Sequence, residues 1–426
     1  MVDKGINNTK DIHIKWPELM HFKRSFTESV PKTREDQFSN AGIATFHGHA
    51  SFTDATTIKV TEKKKRGTDY MLNGRHILVA TGAKPAKLNI PGEEYVTISD
   101  QFLELDDLPE RIVFIGGGYI SFEFAHIAAR AGAKKITILH RSNKPLGQFD
   151  PDLVYQLVQS TRELGIDVQL QTEVKGIVRR SSDNGLAVNA FSIREDDGNS
   201  NKEERIIDTD MVVHGAGRVP DIEGLDLGAA GIEYDLKKGI KVNKYLQSVS
   251  NPAVYAAGDV AVGSGGPQLT PIATYDGKIV ASNLLKGNHL KPNYNGVPSV
   301  VFTIPPLASV GLQESVAKEL GLYFRTNFQK NTSSWYTSRR IGESYSGFKV
   351  LVEQRQGNAN GNGNGNGGDD DYSNGGRILG AHLLGTHAEE IINIFALAIR
   401  LGLNTNDIKD AILSYPTKSS DISYML

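Results

Sequence analysis

The 426-residue sequence contains no cysteine, and this absence restricts its chemistry more than any other feature. Without thiols, these residues form no disulfide, hold no metal through thiolates and offer no cysteine nucleophile. Neither sign of charge dominates, since 47 Lys plus Arg against 49 Asp plus Glu leave a formal net charge of -2. The sequence therefore predicts neither nucleic acid nor an anionic membrane as a partner.

Long apolar runs are also absent. The most apolar late stretch, 391–403, is interrupted by Arg400 and is too short to cross a bilayer. The N-terminus begins Met-Val-Asp-Lys and lacks the basic and then apolar pattern of a secretory signal. We therefore expect a cytoplasmic protein, and its length suits about three domains of roughly 150 residues.

Local patterns predict several elements along the chain. Residues 11–41 favour a connecting helical segment, and 43–79 favour an antiparallel meander with a basic turn at 63–66. From 299 onward the pattern indicates an α+β domain of strands and two helices, one of them the apolar helix 388–401. The Gly/Asn tract 357–376 is expected to be a disordered loop, because it cannot bury enough apolar surface to fold.

A glycine-rich turn joins a predicted strand at 112–115 to a predicted helix at 119–131, and a second strand follows at 136–139. In this setting glycines let the backbone approach a pyrophosphate, while the helix N-terminus offers N–H groups and the positive end of its dipole. A tight structural turn is the alternative. The predicted dinucleotide-binding residues are Gly116, Gly117, Gly118, Tyr119, Ile120 and Ser121.

The end of the second strand bears on the choice of coenzyme. An acidic residue there would accept hydrogen bonds from the ribose hydroxyls and repel a 2′-phosphate. The sequence instead reads His140-Arg141, with Lys144 three residues on, so NADPH is favoured over NADH. The alternative is that Arg141 and Lys144 are merely exposed basic residues.

Three further motifs occur in a fixed order around this unit. Together they closely resemble the pyridine-nucleotide disulfide oxidoreductases, the family of glutathione reductase and dihydrolipoamide dehydrogenase. The likeness continues through 269–273, 304–311 and 380–385, so it covers nearly the whole chain. The three motifs are Ala80-Thr81-Gly82-Ala83-Lys84-Pro85, Gly215-Ala216-Gly217-Arg218-Val219-Pro220 and Tyr255-Ala256-Ala257-Gly258-Asp259.

The resemblance implies an FAD cofactor and assigns residues to it. Asp259 would bind the ribityl chain, Tyr119 would cover the flavin face until nicotinamide displaces it, and Glu123 would be the acid that pairs with a lysine beside the flavin. Each has an alternative: Asp259 as the cap of the following turn, Tyr119 as a core residue and Glu123 as an exposed helix acid. Thr270 is expected to cap the helix that points its N-terminus at the flavin. The other implied cofactor residues are Ala80, Thr81, Gly82, Gly217, Arg218, Gly258 and Ala273.

The implied fold is α/β. A Rossmann-like NAD(P) domain, 108–222, would be inserted in a partial FAD-binding domain made of 1–107 and 223–295. An α+β dimerisation domain, 296–426, would follow, and the implied assembly is a homodimer formed through it.

Two parts of the family pattern are missing from the sequence. The family opens with its own glycine turn for FAD, followed by a helix with two cysteines, and neither is present, so we expect an N-terminally incomplete sequence. Relatives of the glutathione reductase type carry His-Pro-Thr near the C-terminus with a glutamate that orients the histidine. Here the stretch reads Tyr415-Pro416-Thr417, with Ser420-Asp421 near the glutamate position. A tyrosine with an ordinary pKa of about 10 is a poor base at neutral pH.

The leading hypothesis is an FAD-dependent NAD(P)H oxidoreductase that passes hydride from NADPH to flavin and on to a small-molecule electron acceptor. One alternative is a disulfide reductase whose thiols lie in the missing segment. Another is a non-enzymatic, NADPH-binding dimeric relic of the family.

Overall fold

The computed structural model describes residues 12–62, 69–181, 183, 185–196, 199–263, 265–354 and 375–426, with only the backbone for 193–196 and 199–202. The predicted basic turn at 63–66 and all but the last two residues of the predicted loop 357–376 lie outside the described residues.

The helices confirm the predicted helical segment near the start and the predicted apolar helix near the end. In chain order they are α1 (Trp16–Thr27), α2 (Val30–Asn40), α3 (Ser99–Phe102), α4 (Tyr119–Arg130), α5 (Pro151–Glu163), α6 (Thr270–Lys286), α7 (Glu314–Glu319), α8 (Tyr336–Ile341), α9 (Ala388–Leu401) and α10 (Thr405–Lys409).

The strands are β1 (His49–Phe52), β2 (Thr57–Thr61), β3 (Asp69–Asn73), β4 (Ile77–Val79), β5 (Ala83–Pro85), β6 (Arg111–Ile115), β7 (Lys135–Leu139), β8 (Ile166–Gln169), β9 (Thr172–Arg179), β10 (Leu186–Asp196), β11 (Asn199–Thr209), β12 (Met211–His214), β13 (Arg218–Pro220), β14 (Tyr234–Asp235), β15 (Gly239–Lys241), β16 (Val254–Ala256), β17 (Ala261–Val262), β18 (Ser299–Val301), β19 (Leu307–Gly311), β20 (Phe324–Gln329), β21 (Gly347–Glu353) and β22 (Ile378–Leu384).

The chain divides into two compact units. Unit 1 comprises Met1–Leu19, Leu88–Ala216 and Asn295–Leu426, and unit 2 comprises Met20–Lys87 and Gly217–Tyr294.

Unit 1 contains a parallel sheet in the order β12-β6-β7-β8. The four residues that end β6, Ile-Val-Phe-Ile, are all buried, as expected for a strand covered on both faces. Helix α4 connects β6 to β7, and α5 connects β7 to β8, which confirms the predicted strand-turn-helix-strand unit. An antiparallel sheet, β11-β10-β9, adds Ile177 and Val188 to the same core.

The C-terminal part of unit 1 is an antiparallel sheet in the order β18-β19-β22-β21-β20, with α9 packed on it. Ile392 and Phe395 of α9 are fully buried, whereas Leu397 and Leu401 are 58% and 68% exposed. The sequence predicted two helices after 299. The structure corrects this number to four within the described residues, because the short helices α7, α8 and α10 are present in addition to α9.

A buried cation connects α5 to this sheet. Lys349 of β21 is 3% exposed and lies 2.8 Å from Asp150 and 3.2 Å from Glu314, and it also contacts Asp152. Burial opposes its charged form, but the surrounding carboxylates outweigh this effect and raise the pKa of Lys349. Asp150 also caps α5 by accepting from the amides of Asp152 and Leu153. Asp150 is 1% exposed, so the ammonium group compensates a carboxylate that would otherwise be buried without a counter-charge.

Unit 2 contains the antiparallel meander β1-β2-β3, which confirms the predicted one. Strands β16 and β4 pair in parallel, β13 pairs with β5, and β14-β15-β17 form a further small sheet. The core joins Val79 to Ile240, Val254 and Val280.

Candidate nucleotide and flavin sites

The glycine turn in unit 1 begins at Gly116, whose φ of 106° is a conformation that favours glycine. Its amide donates to the Leu139 carbonyl oxygen over 2.8 Å, so the turn starts directly beside the end of β7. A Cβ at this position would collide with the backbone of Gly215 and Ala216. The turn therefore needs glycine here for both conformation and space.

Gly117 is fixed by His140. The Gly117 amide donates to Nδ1 of His140 over 3.0 Å, and the other ring nitrogen lies 3.1 Å from the Lys144 carbonyl oxygen. Burial lowers the pKa of His140. A neutral ring with its proton on Nε2 satisfies both contacts. The His140 side chain therefore holds the Gly117 backbone through a hydrogen bond. That His140 lies at the coenzyme stays a prediction, and in the structure its ring nitrogen accepts from the turn.

Ser121 is fully buried, and its hydroxyl lies directly against Gly215. No hydrogen-bond partner is found for this hydroxyl among the described residues. The small side chain lets α4 approach the end of β12, the role that suits the third small residue of such turns. That Ser121 binds a nucleotide stays a prediction, and because its side chain is buried, only its backbone could take part.

The first turn of α4 has the features of an anion site. Gly118 is the N-cap residue, and no acidic side chain lies in the first turn. The opening N–H groups of a helix have no carbonyl four residues earlier, and the positive end of the dipole lies there. Ile120 is partly buried and Tyr119 is 47% exposed, which argues against Tyr119 as a core residue.

Arg141 follows β7 and is exposed. Neither Arg141 nor the side chain of Lys144 has an ion-pair or hydrogen-bond partner within the described part of the chain. With His140 neutral, these two side chains are the cations that the sequence predicted near the ribose.

Glu123, in the second turn of α4, accepts a hydrogen bond from the Phe302 amide over 2.9 Å. Burial raises its pKa, and the hydrogen bond partly offsets this effect. Glu123 is therefore not the exposed helix acid of the alternative interpretation.

His126 and Arg130, on the same face of α4, were missed by sequence reasoning. His126 is 2% exposed, and its Nδ1 accepts from the Ile304 amide while Nε2 donates to Thr161. Arg130 donates to the Ile304 carbonyl oxygen over 3.2 Å. Burial, and secondarily Arg130, lower the pKa of His126 to about 3, so the ring is neutral. Their i, i+4 spacing predicts that the two side chains share one face of the helix. The sequence does not predict which segment this face contacts.

In unit 2, the Ala80-Thr81-Gly82 motif lies beside the segment that follows Gly217. The Thr81 hydroxyl donates to the Asp221 carbonyl oxygen over 2.7 Å, and the Asp221 amide donates to Gly82 over 2.9 Å. Gly82 has a φ of 71°, an added Cβ there would have no described residue within 4 Å, and Ala80 is exposed.

Arg218 belongs to the same pairing of β13 with β5. Its guanidinium donates to the Ala83 carbonyl oxygen, and Gly217 accepts from the Ala86 amide over 3.0 Å. Both residues were predicted at the cofactor, and in the structure their polar groups hold the two motifs together.

Gly258 forms the second part of the candidate flavin site. Its φ is 70°, and an added Cβ would lie 2.9 Å from Cβ of Ala273 in the first turn of α6. Asp276, 1% exposed, accepts from the Gly258 amide over 3.1 Å and from the Tyr294 hydroxyl over 2.7 Å. Asp276 was not predicted, because the amide that it accepts from belongs to Gly258, 18 residues earlier, and the local sequence does not indicate this contact.

Asp259 is partly buried, and its carboxylate has no partner among the residues that the structure describes. The turn at Gly258–Val260 has no side-chain cap, which argues against the capping alternative. The carboxylate is therefore available to hydroxyl donors.

Thr270 does not cap α6, which corrects the prediction. Leu269 is the N-cap residue, without a side-chain hydrogen bond, and Thr270 is the first helical residue. Pro271 lies in the first turn, as predicted.

The C-terminal segment is held by contacts within unit 1. Lys418 donates to Glu343 and to Ser338, both over 2.7 Å, and Asp421 accepts from the Thr337 hydroxyl. Tyr415 is 79% exposed. Burial raises the pKa of Asp421, partly offset by its hydrogen bond from Thr337.

No helix among the described residues is both long enough and apolar enough to span a bilayer.

Comparison with known proteins identifies the family. The model described as pyridine nucleotide-disulphide oxidoreductase matches residues 12–277, and the model of that family's dimerisation domain matches residues 372–425.

Several proteins of known sequence are similar to this chain. An uncharacterized 19.7 kDa protein in a mercuric resistance operon of Staphylococcus aureus is 48% identical over 190 residues, which are 45% of this chain and 94% of that protein. A mercuric reductase of Staphylococcus aureus is 30% identical over 391 residues, which cover 91% of this chain but 63% of that enzyme. A glutathione reductase of Burkholderia cepacia is 28% identical over 407 residues, 95% of this chain and 80% of that enzyme.

A solved structure gives the same result. The Cu(II) complex of the HOCl-induced flavoprotein disulfide reductase RclA from Escherichia coli superposes with a TM-score of 0.78 at 26% identity, covering 97% of this chain and 85% of that one. The α/β fold expected from the sequence is thereby confirmed, as is the resemblance. The chain belongs to the pyridine nucleotide-disulphide oxidoreductase family.

Proposed function

We propose that this chain is part of an FAD-dependent oxidoreductase that takes hydride from NADPH and delivers electrons to a small-molecule acceptor. The observation that carries the proposal is the turn from Gly116 to Gly118, where the backbone needs glycine and leads directly into the positive end of α4. Residues 108–222 form the nucleotide domain in this proposal.

NADPH is favoured over NADH. The pyrophosphate would accept from the amides that open α4, and Arg141 and Lys144 would interact with the 2′-phosphate. These two cations have no partner within the described part of the chain, whereas His140 is used to support Gly117.

The residues of unit 2 fit an FAD site. Gly258 leaves room for the first turn of α6 only because it lacks a Cβ, and the carboxylate of Asp259 beside it has no partner among the described residues. Asp259 would accept from the ribityl hydroxyls, and the N-terminus of α6 would favour negative charge near it. FAD, when bound, accepts hydride from nicotinamide and supplies electrons to the acceptor. In this proposal residues 1–107 and 223–295 contribute to the flavin domain.

We also propose a homodimer formed through residues 296–426. Leu397 and Leu401 leave an apolar side of α9 exposed, and the match to the family's dimerisation domain supports the same surface.

The names of the relatives do not decide the acceptor. Mercuric ion is soft and prefers thiolate ligands, and the 426 residues supply none.

The test is the visible spectrum of the purified 426-residue protein under anaerobic conditions. We expect bound flavin bands that bleach when NADPH is added and return when an electron acceptor such as a quinone follows. A protein that binds NADPH but carries no flavin, even after incubation with FAD, would contradict the proposal and favour a non-enzymatic relic. NADH in place of NADPH should bleach the bands only at higher concentration.

A further inference from the structure

Gly117 of the glycine turn is enclosed by residues 140–146, the loop that follows β7. Its amide donates to Nδ1 of His140 over 3.0 Å, and its carbonyl oxygen accepts from the Leu146 amide over 2.8 Å. A Cβ at Gly117 would lie 2.7 Å from Cγ of His140 and 3.0 Å from Cβ of Pro145. Both backbone polar groups of Gly117 are therefore bonded to this loop, and the close packing leaves no room for a side chain.

The second ring nitrogen of His140 contacts the rest of the loop. Nε2 of His140 lies 2.8 Å from the Ser142 hydroxyl and 3.1 Å from the Lys144 carbonyl oxygen. The Lys144 amide donates to the same hydroxyl over 3.3 Å. The imidazole ring therefore joins the Gly117 backbone to the backbone that carries Arg141 and Lys144, the two cations proposed to meet the 2′-phosphate.

His140 is itself held in place by its own backbone. Its amide donates to the Gln169 carbonyl oxygen over 2.9 Å, and its carbonyl oxygen accepts from the Thr172 amide over 2.8 Å. The Gln171 amide donates to the Ser142 carbonyl oxygen over 3.0 Å. All of these residues belong to unit 1. The ring therefore has a fixed position, and both the turn and the loop are bonded to it.

This arrangement bears on both phosphate positions of the proposed coenzyme site. Because the Gly117 amide is bonded to His140, the amides left for the pyrophosphate begin at Gly118. A protein whose binding-competent conformation is only partly populated binds its ligand more weakly by that fraction. A bond that holds the turn or the loop in one conformation therefore strengthens binding of the phosphate that this part contacts.

We propose that His140 is a positioning residue for NADPH, in which one ring nitrogen holds the pyrophosphate turn and the other holds the loop that distinguishes NADPH from NADH. This inference rests on the proposed function, which makes NADPH the ligand. His140 acts here through the backbone of Gly117 and Lys144, without a contact of its own to a phosphate.

The experiment replaces His140 with two amides, each of which keeps one of the two contacts of the ring. In His140→Asn the side-chain oxygen lies about where Nδ1 stood and accepts from Gly117, but no group reaches Lys144. In His140→Gln the longer side chain places its amide near the Nε2 position, where it donates to Lys144, but the Gly117 amide loses its acceptor. His387→Asn is the matched control, because His387 is exposed in unit 1 and its φ of 67° is a conformation that asparagine adopts.

Fluorescence titrations of the full chain with NADPH and with NADH measure binding without turnover. We expect His140→Asn to bind NADPH about tenfold more weakly, a difference of about 1.4 kcal/mol, and NADH within about threefold of wild type. His140→Gln should weaken binding of both coenzymes about tenfold, because the turn that both of them use is no longer held. His387→Asn should bind both as wild type does. The same pattern in the two His140 variants, whether unchanged affinity or equal loss of both coenzymes, would overturn the positioning role.

Hydrogen exchange of the Gly117 amide, measured by mass spectrometry without coenzyme, tests the first contact independently of binding. The amide should be protected in wild type and in His140→Asn and should exchange at least about tenfold faster in His140→Gln. If wild type binds neither coenzyme, the proposed function fails and the positioning role fails with it, while exchange still decides whether His140 holds the turn. If wild type binds NADPH but the amide exchanges equally in wild type and His140→Gln, the positioning role alone is wrong.

Discussion

The variant Gly118→Ala should weaken nucleotide binding while leaving the stability of the fold almost unchanged. Of the described residues, an added Cβ at Gly118 would meet only Gly215, whose carbonyl oxygen would lie 3.2 Å away, and the φ of −89° suits any residue. We therefore expect the free energy of unfolding to fall by less than about 1 kcal/mol. The methyl group would stand at the N-terminus of α4, where the pyrophosphate is proposed to bind.

The expected loss of affinity follows from the bonds that the methyl group would lengthen. A hydrogen bond from a backbone amide to a charged oxygen contributes about 1.5–3 kcal/mol, so the loss of one such bond should weaken NADPH binding by roughly 10- to 150-fold. The assay is a fluorescence titration with NADPH, accompanied by urea unfolding of each variant.

Gly228→Ala is the matched control, because Gly228 has no positive φ and no part of the described chain lies within 4 Å of an added Cβ. It should bind NADPH as wild type does. Gly116→Ala should instead lower stability itself, because its Cβ would collide with backbone. If Gly118→Ala binds NADPH with unchanged affinity, phosphate does not rest at this turn and the proposed site is wrong.

Three more predictions concern the same unit. Arg141→Glu should weaken binding of NADPH at least about tenfold while leaving NADH unchanged, which titrations with both coenzymes would measure; equal losses would contradict a 2′-phosphate contact. His126 has a pKa of about 3 in the folded protein against an ordinary 6.5. Its contribution to the free energy of unfolding is therefore complete above pH 6.5 and declines as the pH falls below that value. The loss should be about 1.4 kcal/mol per pH unit, and unfolding at pH 6.5 and 5 should show a smaller slope for His126→Gln. Lys349→Met should cost about 3–5 kcal/mol in urea unfolding, because Asp150 stays buried without its cation, and adding Asp150→Asn should restore part of the loss.

The elements predicted best from the sequence are those with a strong local pattern. The run from Ile112 to Ile115 is apolar throughout and ends in glycines, so both the strand and the turn could be read directly. The helix from Ala388 to Leu401 was equally clear, because its apolar residues recur at helical spacing and Gly402 follows.

Contacts between distant residues could not be predicted in this way. His126 meets Ile304, 178 residues later, and Asp276 supports Gly258 through a backbone amide. Their sequence neighbourhoods carry no signal of either partner. His140 could be placed at the end of a strand from the sequence, but its burial and its bond to Gly117 could not. The short helix α8 depends on tertiary packing, since six residues are too few to form a stable helix alone.

Helix α4 makes specific contacts at both of its ends. Its 12 residues span about 18 Å. The glycine turn lies at one end, and the hydrogen bond from Arg130 to the Ile304 carbonyl oxygen lies at the other. Glu123 and His126 hold the same segment at two further points along the helix. Because one continuous helix makes all of these contacts, the position of the glycine turn is tied to the position of the backbone at 302–304 without any intermediate element.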